Sequence, residues 1–480
     1  MRCIIIKQFI IVRKKEKCNR NEGDDVLKIP ESADRVMEVL ESAGHQAWCV
    51  GGCVRDSLLG RVPEDWDITT DALPEETLDL FGEQAVPTGL RHGTITVRTK
   101  TGAIEVTTFR VDGAYRDHRR PESVCFTRSL EEDLRRRDFT INAMAVDRRG
   151  ELRDPFGGRD DLRRRVLRCV GEPGQRFGED ALRILRGMRF AAVLEFSIED
   201  RTAEGLHVCR ELLGEIAPER IWKELLGLLT GVDAAAVLRR FPDVVGVFWP
   251  EISRMVGFPQ NNVHHCYDVW EHTLHALDAV PPEPELRLTM LLHDIGKPKC
   301  FTEDAEGNSH FHGHPAVSAA MAEEMLRRLR ADNATRETVV RLVAWHDRNI
   351  PRTEEGVAKA LGELGERDLR RLFQVKRADN LAQAPAFRAT QAEIDKAQAI
   401  LDHLLAENAC VSLKQLSVKG NDLLGIGLTG RAVGKMLQAL LTAVMEGNVP
   451  NSRGALLDLA RELSRPCPEQ SSAYSAGESL

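Results

Sequence analysis

No run of about 18 apolar residues occurs in the 480-residue chain, so no segment has the length to cross a bilayer as a helix. No CxxC pair occurs among the eleven cysteines; their odd number and irregular spacing predict reduced thiols in a cytoplasmic protein. No small-residue cleavage site follows the basic, apolar start MRCIIIKQFIIVRKKEK, and Lys7 splits its apolar stretch. Residues 1–26 are therefore expected to be a poorly ordered extension and not a secretory signal. Internal repeats are absent. So is an excess of positive charge: the net value is −8, which by itself speaks against nucleic-acid binding.

What is present modifies that last point. Between Arg110 and Arg189 arginine is dense, in RDHRR, RRRD, DLRRRVLR and LRILRGMR. About 20 basic residues stand there against about 15 acidic ones, so a local positive surface is expected within an acidic total. The hydrophobic fraction of 42% and charged fraction of 29% are those of a soluble globular protein. The length implies roughly three domains.

Residues 27–155 read as a mixed α/β head. SADRVMEVLESAGH places Val36, Val39, Leu40 and Ala43 on one helical face. The strand AWCV leads into Gly51-Gly52, a second strand carries DWDITT, and HGTITVRT and AIEVTTFR alternate as paired strands around a turn at Thr101-Gly102. After Gly158 strand signals stop and the pattern is helical, with breaks expected near Pro218, Pro242, Pro259, Pro281-Pro282 and Gly362. The blocks are 156–260, Arg-rich and then apolar; 261–385, which holds most of the histidines; 386–465, helical; and a disordered tail, 466–480.

Asp65 and Asp67 are one residue apart. In a strand that spacing turns both carboxylates to one face, where they suit Mg²⁺, which prefers hard oxygen ligands. Gly51-Gly52 ahead of them lets backbone approach phosphates, Arg55 offers a planar fork, and Glu105 in the neighbouring strand is a candidate third carboxylate. A surface pair, a tight strand–helix turn and an exposed strand glutamate are the plain alternatives. Asp180, Arg183, Arg186 and Arg189 recur every third residue, with Leu182, Ile184, Leu185 and Met188 as an apolar complement, so a polar stripe is expected on that helix. A solvated basic stripe is the alternative there. His272, His293-Asp294 and Asp379 follow in the order H…HD…D, and imidazole with carboxylate suits a divalent or transition metal. His314 and His346 could complete a second position, while His310 or His312 reads as an ordinary hydrogen-bonded histidine.

Three blocks carry a resemblance: VGGCVRDSLLGR…EDWDITT, then DLRRRDFTINAMA, then GEDALRILRGMRFA. Together they resemble the class II CCA-adding enzyme and bacterial poly(A) polymerase family, over roughly residues 27–260. The histidine block, with LRLTMLLHDIGKP, resembles the HD phosphohydrolase superfamily, a domain fused to some CCA-adding enzymes. The resemblance implies a polymerase-β-like nucleotidyltransferase head followed by all-α neck, body, HD and tail regions. It implies catalysis by Asp65, Asp67 and Glu105 with Mg²⁺, and nucleotide contacts from Gly52, Arg55 and Arg137, with Asp138 orienting Arg137 or capping a helix from Phe139.

By the same resemblance Asp180 and Arg183 read the incoming base, and Arg186 and Arg189 hold the base side or the triphosphate. Cytosine and adenine both present an amino donor beside a ring-nitrogen acceptor, which a carboxylate and a guanidinium complement. Uracil and guanine present the reverse. RVDGAYRDHRRPESVCF resembles the loop needed for the switch to ATP, and GEDALR, with alanine at its fourth position, leans towards CCA addition. The expected partners are tRNA, CTP and ATP, with ERIWKELLGLL as a neck helix and GKMLQALLTAV in a tRNA-holding tail. The HD residues would hydrolyse cyclic phosphates or phosphomonoesters at RNA ends. Rival readings are a poly(A) polymerase, an HD phosphohydrolase with a non-catalytic RNA-binding head, and an RNA chaperone.

Overall fold

A computed structural model describes residues 27–113, 124–407, 410 and 413–464. The extension 1–26, most of the loop expected to serve ATP addition, and the tail 466–480 lie outside the described residues. The chain divides into two compact units between Glu179 and Asp180.

The first unit is built on a mixed sheet. Its strands are β1 (Ala47–Val50), β2 (Asp67–Thr70), β3 (Ala85–Gly89), β4 (Thr94–Thr99) and β5 (Gly102–Thr108), then β8 (Ala145–Val146) and β9 (Leu152–Arg153). They lie in the order β3-β4-β5-β2-β1-β8-β9. A separate ribbon pairs β6 (Arg110–Asp112) with β7 (Val124–Phe126). β2 runs antiparallel to β1 and parallel to β5, whereas β4 and β5 form the expected hairpin. Ile68, Ile95, Val97, Ile104 and Val106 are buried from these strands, so the alternation read in the sequence is the core face of the sheet.

The first helix, Glu31–Ser42, packs on this sheet through Ala33, Val36, Met37 and Leu40. That corrects the expected face. Val39 is exposed, and Ala43 is exposed at the C-cap. Residues 33, 36, 37 and 40 follow the i, i+3, i+4, i+7 stripe, and Val39 falls off it. Two further expectations shift. No α-helix begins at Phe139; Thr140–Asn142 is a single tight turn, and Phe139 is a buried bridge partner of Cys169. β2 begins at Asp67, leaving Asp65 in the irregular segment before it.

The second unit is helical, as expected, apart from strands too short to leave a pattern, such as the hairpin Thr302–Glu303 and Ser309–His310. Pro218 and Pro242 open helices at their first positions, where a missing N–H costs nothing. The break expected at Gly362 occurs at Gly365, inside Glu354–Ala382, where φ is 76° and ψ 163°. Only glycine adopts that conformation without strain. The helix Gln391–Ala406 buries Ile394, Ala397, Leu401 and Leu404 in one core with Leu361, Leu372 and Phe373. A smaller core follows around Leu416, Leu440 and Leu456, with the expected amphipathic helix as Arg431–Met445. Among the described residues no helix is long and apolar enough to cross a membrane.

One glycine in the first unit has no room for a side chain. A methyl on Gly158 would stand 2.2 Å from the Thr140 carbonyl oxygen, which is backbone and cannot swing away. Gly158→Ala is expected to destabilise the first unit by about 1–3 kcal/mol, seen as a lowered melting midpoint; an unchanged midpoint would refute the packing argument.

Candidate active sites

Strand register builds the first site. β1 ends at Val50, whose partner across the antiparallel pair is Asp67, and Asp67 is in turn opposite Glu105 in the parallel pair. The glycine turn, Asp67 and Glu105 therefore meet at one end of the sheet. Both residues reach the protein surface at that edge, with the Asp67 carboxyl set among surrounding protein atoms. Burial by surrounding protein atoms, then the charge of Glu105, pushes Asp67 up to about 6, with Asp65 adding to the effect and Arg137 opposing it. Three carboxylates gathered this way repel one another, and a hard divalent cation is the charge that relieves them. The donor set fits Mg²⁺.

Gly51 has φ 78°, and a methyl there would stand 3.2 Å from the Arg137 guanidinium. Glycine is thus favoured by its backbone conformation, and the arginine guanidinium packs closely against it. Arg137 donates to buried Asp133 at 3.2 Å, while Arg136 donates to the other oxygen at 2.7 Å. Burial alone would raise Asp133, but the two guanidinium groups hold it below the usual carboxylate range. The Arg137 Nε is buried and has no partner among the described residues, leaving a donor beside the glycine turn.

Arg55 differs from expectation. Its fork lies on Asp56, with Nε and Nη2 donating at 2.9 and 2.8 Å, and Nη1 donates to the Asn142 side chain at 2.8 Å. Asp138 accepts from Asn142 at 3.1 Å and from the Phe139 N–H at 2.8 Å. Arg55 is therefore a strut from the helix after Gly51 to the Asp138–Asn142 turn, and its bidentate edge is occupied by a carboxylate. The pairing of Arg55 with its neighbour Asp56, and Asp133 behind Arg137, were not foreseen; Asp133 is one charge within an arginine-rich run.

The expected polar stripe does not hold as one face. Asp180 precedes the helix Leu182–Leu194, and its side chain accepts from the Leu182 N–H at 3.2 Å while its other oxygen stands 3.4 Å from Arg220. Arg183 is buried. Arg189 donates to Glu224 at 2.6 Å and lies against Gly227, where a methyl would come within 2.4 Å of its stem. Both Arg186 and Arg189 lie over the Phe190 ring. Steps of three fall short of the 3.6-residue turn, so the three arginines spiral by about a third of a circle from 183 to 189, and Asp180 lies outside the helix. Arg220 and Glu224, four apart on Pro218–Leu229, are the partners the sequence reading missed.

The histidine block converges as expected, and more tightly than spacing could show. His272 lies on Val269–Asp278, His293 and Asp294 follow Pro284–Leu292, His314 opens a helix, His346 caps one, and Asp379 lies in the last turn of Glu354–Ala382. Two metal-suited groups result, His272–His293–Asp294 and Asp294–His314–His346, sharing Asp294. One Asp294 oxygen stands 3.2 Å from His293 and 3.5 Å from His272; the other stands 3.3 Å from His314 and 3.7 Å from His346. Asp379 is 2.9 Å from His272.

Each of the four histidines turns Nδ1 to a backbone carbonyl: Ala382, Met290, Phe311 and Val343 respectively. A carbonyl only accepts, so Nδ1 carries the proton and Nε2 points its lone pair inward. The His272 and His293 Nε2 atoms lie 3.4 Å apart, and those of His314 and His346 lie 3.2 Å apart. Facing Nε2 atoms with the buried carboxylate of Asp294 and the partly exposed one of Asp379 call for positive charge at the centre, a cation or a proton. Despite burial, Asp294 and Asp379 raise His293 to about 10. The residues fit one or two divalent cations.

Lys297, three residues after Asp294, stands 2.7 Å from it and donates to Gln260, and the His265 ring lies edge-on to His272. Neither was singled out in the sequence, although HDIGK and HHCYD contain them. His310 pairs with Asp304 outside the cluster, the ordinary role expected of it.

Comparison with known proteins finds relatives for the head and for the histidine-bearing domain. A family model for the poly(A) polymerase head domain matches residues 47–168, one for an HD domain matches 262–384, and one described as a probable RNA and SrmB-binding site of polymerase A matches 195–242. The CCA-adding enzyme of Lactobacillus delbrueckii subsp. bulgaricus is 40% identical over 266 residues, half of this chain and 67% of that protein. The CCA-adding enzyme of Lactiplantibacillus plantarum is 33% identical over 437 residues, 90% of this chain and 96% of that one. The crystal structure of the Bacillus stearothermophilus CCA-adding enzyme in complex with CTP matches with a TM-score of 0.66 at 29% identity, covering 90% of this chain and 96% of that one. With a relative of that identity spanned almost end to end, the chain belongs to the CCA-adding enzyme family of nucleotidyltransferases.

Proposed function

We propose that this chain completes the 3′ end of tRNA with C, C and A, taking CTP and ATP without a template, and that its HD cluster hydrolyses phosphate esters at RNA 3′ ends. The observation that carries the first part is the register of Asp67 with Glu105 beside the Gly51 turn and Arg137. Mg²⁺ held by Asp65, Asp67 and Glu105 would supply charge neutralisation for the phosphates and a lowered pKa for the attacking 3′-hydroxyl, with two ions sharing the tasks. The glycine turn offers its backbone and the Gly52 N–H to phosphate, and Arg137 adds a fixed guanidinium whose Nε is unspent among the described residues. Arg55 acts through Asn142 and Asp138, holding the turn that carries Arg137.

Base choice is assigned to Asp180 and Arg183. The Asp180 carboxylate accepts from the exocyclic amino group of cytosine or adenine, and Arg183 donates to the neighbouring ring nitrogen. UTP and GTP would leave both groups unpaired. Arg186, which lies over the Phe190 ring, is assigned contact with the base or triphosphate, whereas the Glu224 pairing gives Arg189 a positioning task between two helices. The CTP bound in the Bacillus stearothermophilus relative supports a nucleotide role.

For the hydrolase, the supporting observation is the shared Asp294 between two imidazole groups. Divalent ions held by His272, His293, Asp294 and Asp379, and by Asp294, His314 and His346, would supply an activated water. Lys297 keeps Asp294 ionised and oriented. A poly(A) product would place the same residues in another enzyme of this wider group.

Transcripts of tRNA ending before CCA, incubated with each labelled nucleotide, are expected to stop after C, C and A; a long A tail on general RNA would overturn this reading. Asp67→Ala is expected to reduce transfer to background while phosphate-ester hydrolysis persists, and substantial remaining transfer would remove Asp67 from the metal site. Asp180→Ala is expected to admit UTP, measured as misincorporation; undiminished rejection would take it out of base readout. Asp294→Ala should abolish Mn²⁺-dependent hydrolysis of p-nitrophenyl phosphate, and retained hydrolysis would sink the HD assignment.

A further inference from the structure

The candidate ligands of the HD cluster are not equally accessible. Side chains of His272 and His293 are 0% exposed and those of Asp294 and His346 are 2%, but Asp379 is 21% exposed. Asp379 and His346 form one wall of a cavity of about 220 Å³. The cavity therefore adjoins the cluster on its Asp379 side. Phe373 and Ile394 contribute an apolar surface, and Asn349, Arg352, Lys376 and Glu393 a polar one.

The polar wall is held in place. Lys376, one turn before Asp379, donates to the carbonyls of His346 and Arg348, each at 2.7 Å. An ammonium has three N–H donors, and the third has no protein partner among the described residues. Arg352 donates to the Asn349 side chain at 2.8 Å and stands 3.7 Å from Glu393. Donors and acceptors thus both line a cavity that also has a small apolar surface. That pattern suits a polyhydroxylated ring, whose hydroxyls donate and accept. The volume is below the roughly 300 Å³ at which pockets for larger ligands begin, so the cavity holds one sugar-sized group and not a whole nucleotide.

We propose that this cavity is the leaving-group subsite of the HD cluster, taking the ribose of a ribonucleotide phosphate ester, with Arg352 and Lys376 as its specificity-determining residues. The inference rests on the hydrolase reading. In the reaction, water oxygen bonds to phosphorus and the P–O bond to the sugar breaks. One water proton ends on the departing sugar oxygen as a hydroxyl, and the other remains on phosphate. Lys376 and Arg352 donate to the sugar oxygens and so fix which ester faces the cluster.

The test compares adenosine 3′-monophosphate with p-nitrophenyl phosphate, which has no sugar, on the full Mn²⁺-loaded chain. Arg352→Gln and Lys376→Gln are each expected to lower the ratio of kcat/KM, nucleotide over aryl phosphate, about tenfold and through KM, the scale of one charge-assisted hydrogen bond. An unchanged ratio, or an equal fall for both substrates, overturns the subsite. Bound Mn²⁺ is counted for each variant; if Lys376→Gln loses metal, exposed Arg352→Gln decides. A wild-type chain that hydrolyses neither ester with Mn²⁺, Ni²⁺ or Co²⁺ sinks the hydrolase reading itself, and the subsite with it.

Discussion

Asp67 stands opposite Glu105 because β2 and β5 run parallel in a fixed register, and much of the first site follows from that pairing. A one-residue slip would turn Asp67 into the core and Ile68 out of it. Burial of Ile68, Ile104 and Val106 on the inner face prevents such a slip. The same strand pairs antiparallel with β1, which carries the glycine turn to the same end. Hydrophobic burial on one face of the sheet thereby fixes charged groups at its edge, although those groups repel one another.

Both sites gather groups that oppose their own assembly. In the head, the carboxylates push Asp67 upward, and Asp133 with Arg136 and Arg137 supplies the compensating ion pairs. In the HD cluster, backbone carbonyls behind four imidazoles fix which nitrogen faces inward. The scaffold uses hydrogen bonds at the rear of each ring to hold lone pairs together at the front. Such preorganisation costs stability locally and is offset by the helical core around it.

Arginine serves two purposes here, and the difference lies in its partner. Arg189 is tied to Glu224 and lies in the space Gly227 leaves, so it joins two helices. Arg55 is similarly committed to Asp56 and Asn142. Arg137 has one carboxylate partner and a buried Nε without any among the described residues. An arginine run in a sequence does not distinguish these cases, because the acidic partner of each is set by the fold.

The sequence by itself determined the elements and the chemistry. Strand alternation around β4 and β5, proline at helix starts, the Asp65–Asp67 spacing and the H…HD…D order are local, and local patterns survive in a one-dimensional string. The tertiary structure decided everything that depends on which distant residues meet. It put Asp65 outside the strand, took Val39 off the buried face, occupied the Arg55 fork, and turned a three-residue stripe from Asp180 to Arg189 into a spiral with separate partners. It also made Asp294 common to two imidazole pairs and placed Lys376 beside Asp379 and His346. In the same cluster His272 meets Asp379, 107 residues further along the chain. Periodicity reports which way a side chain leaves its own element; only packing selects what it meets.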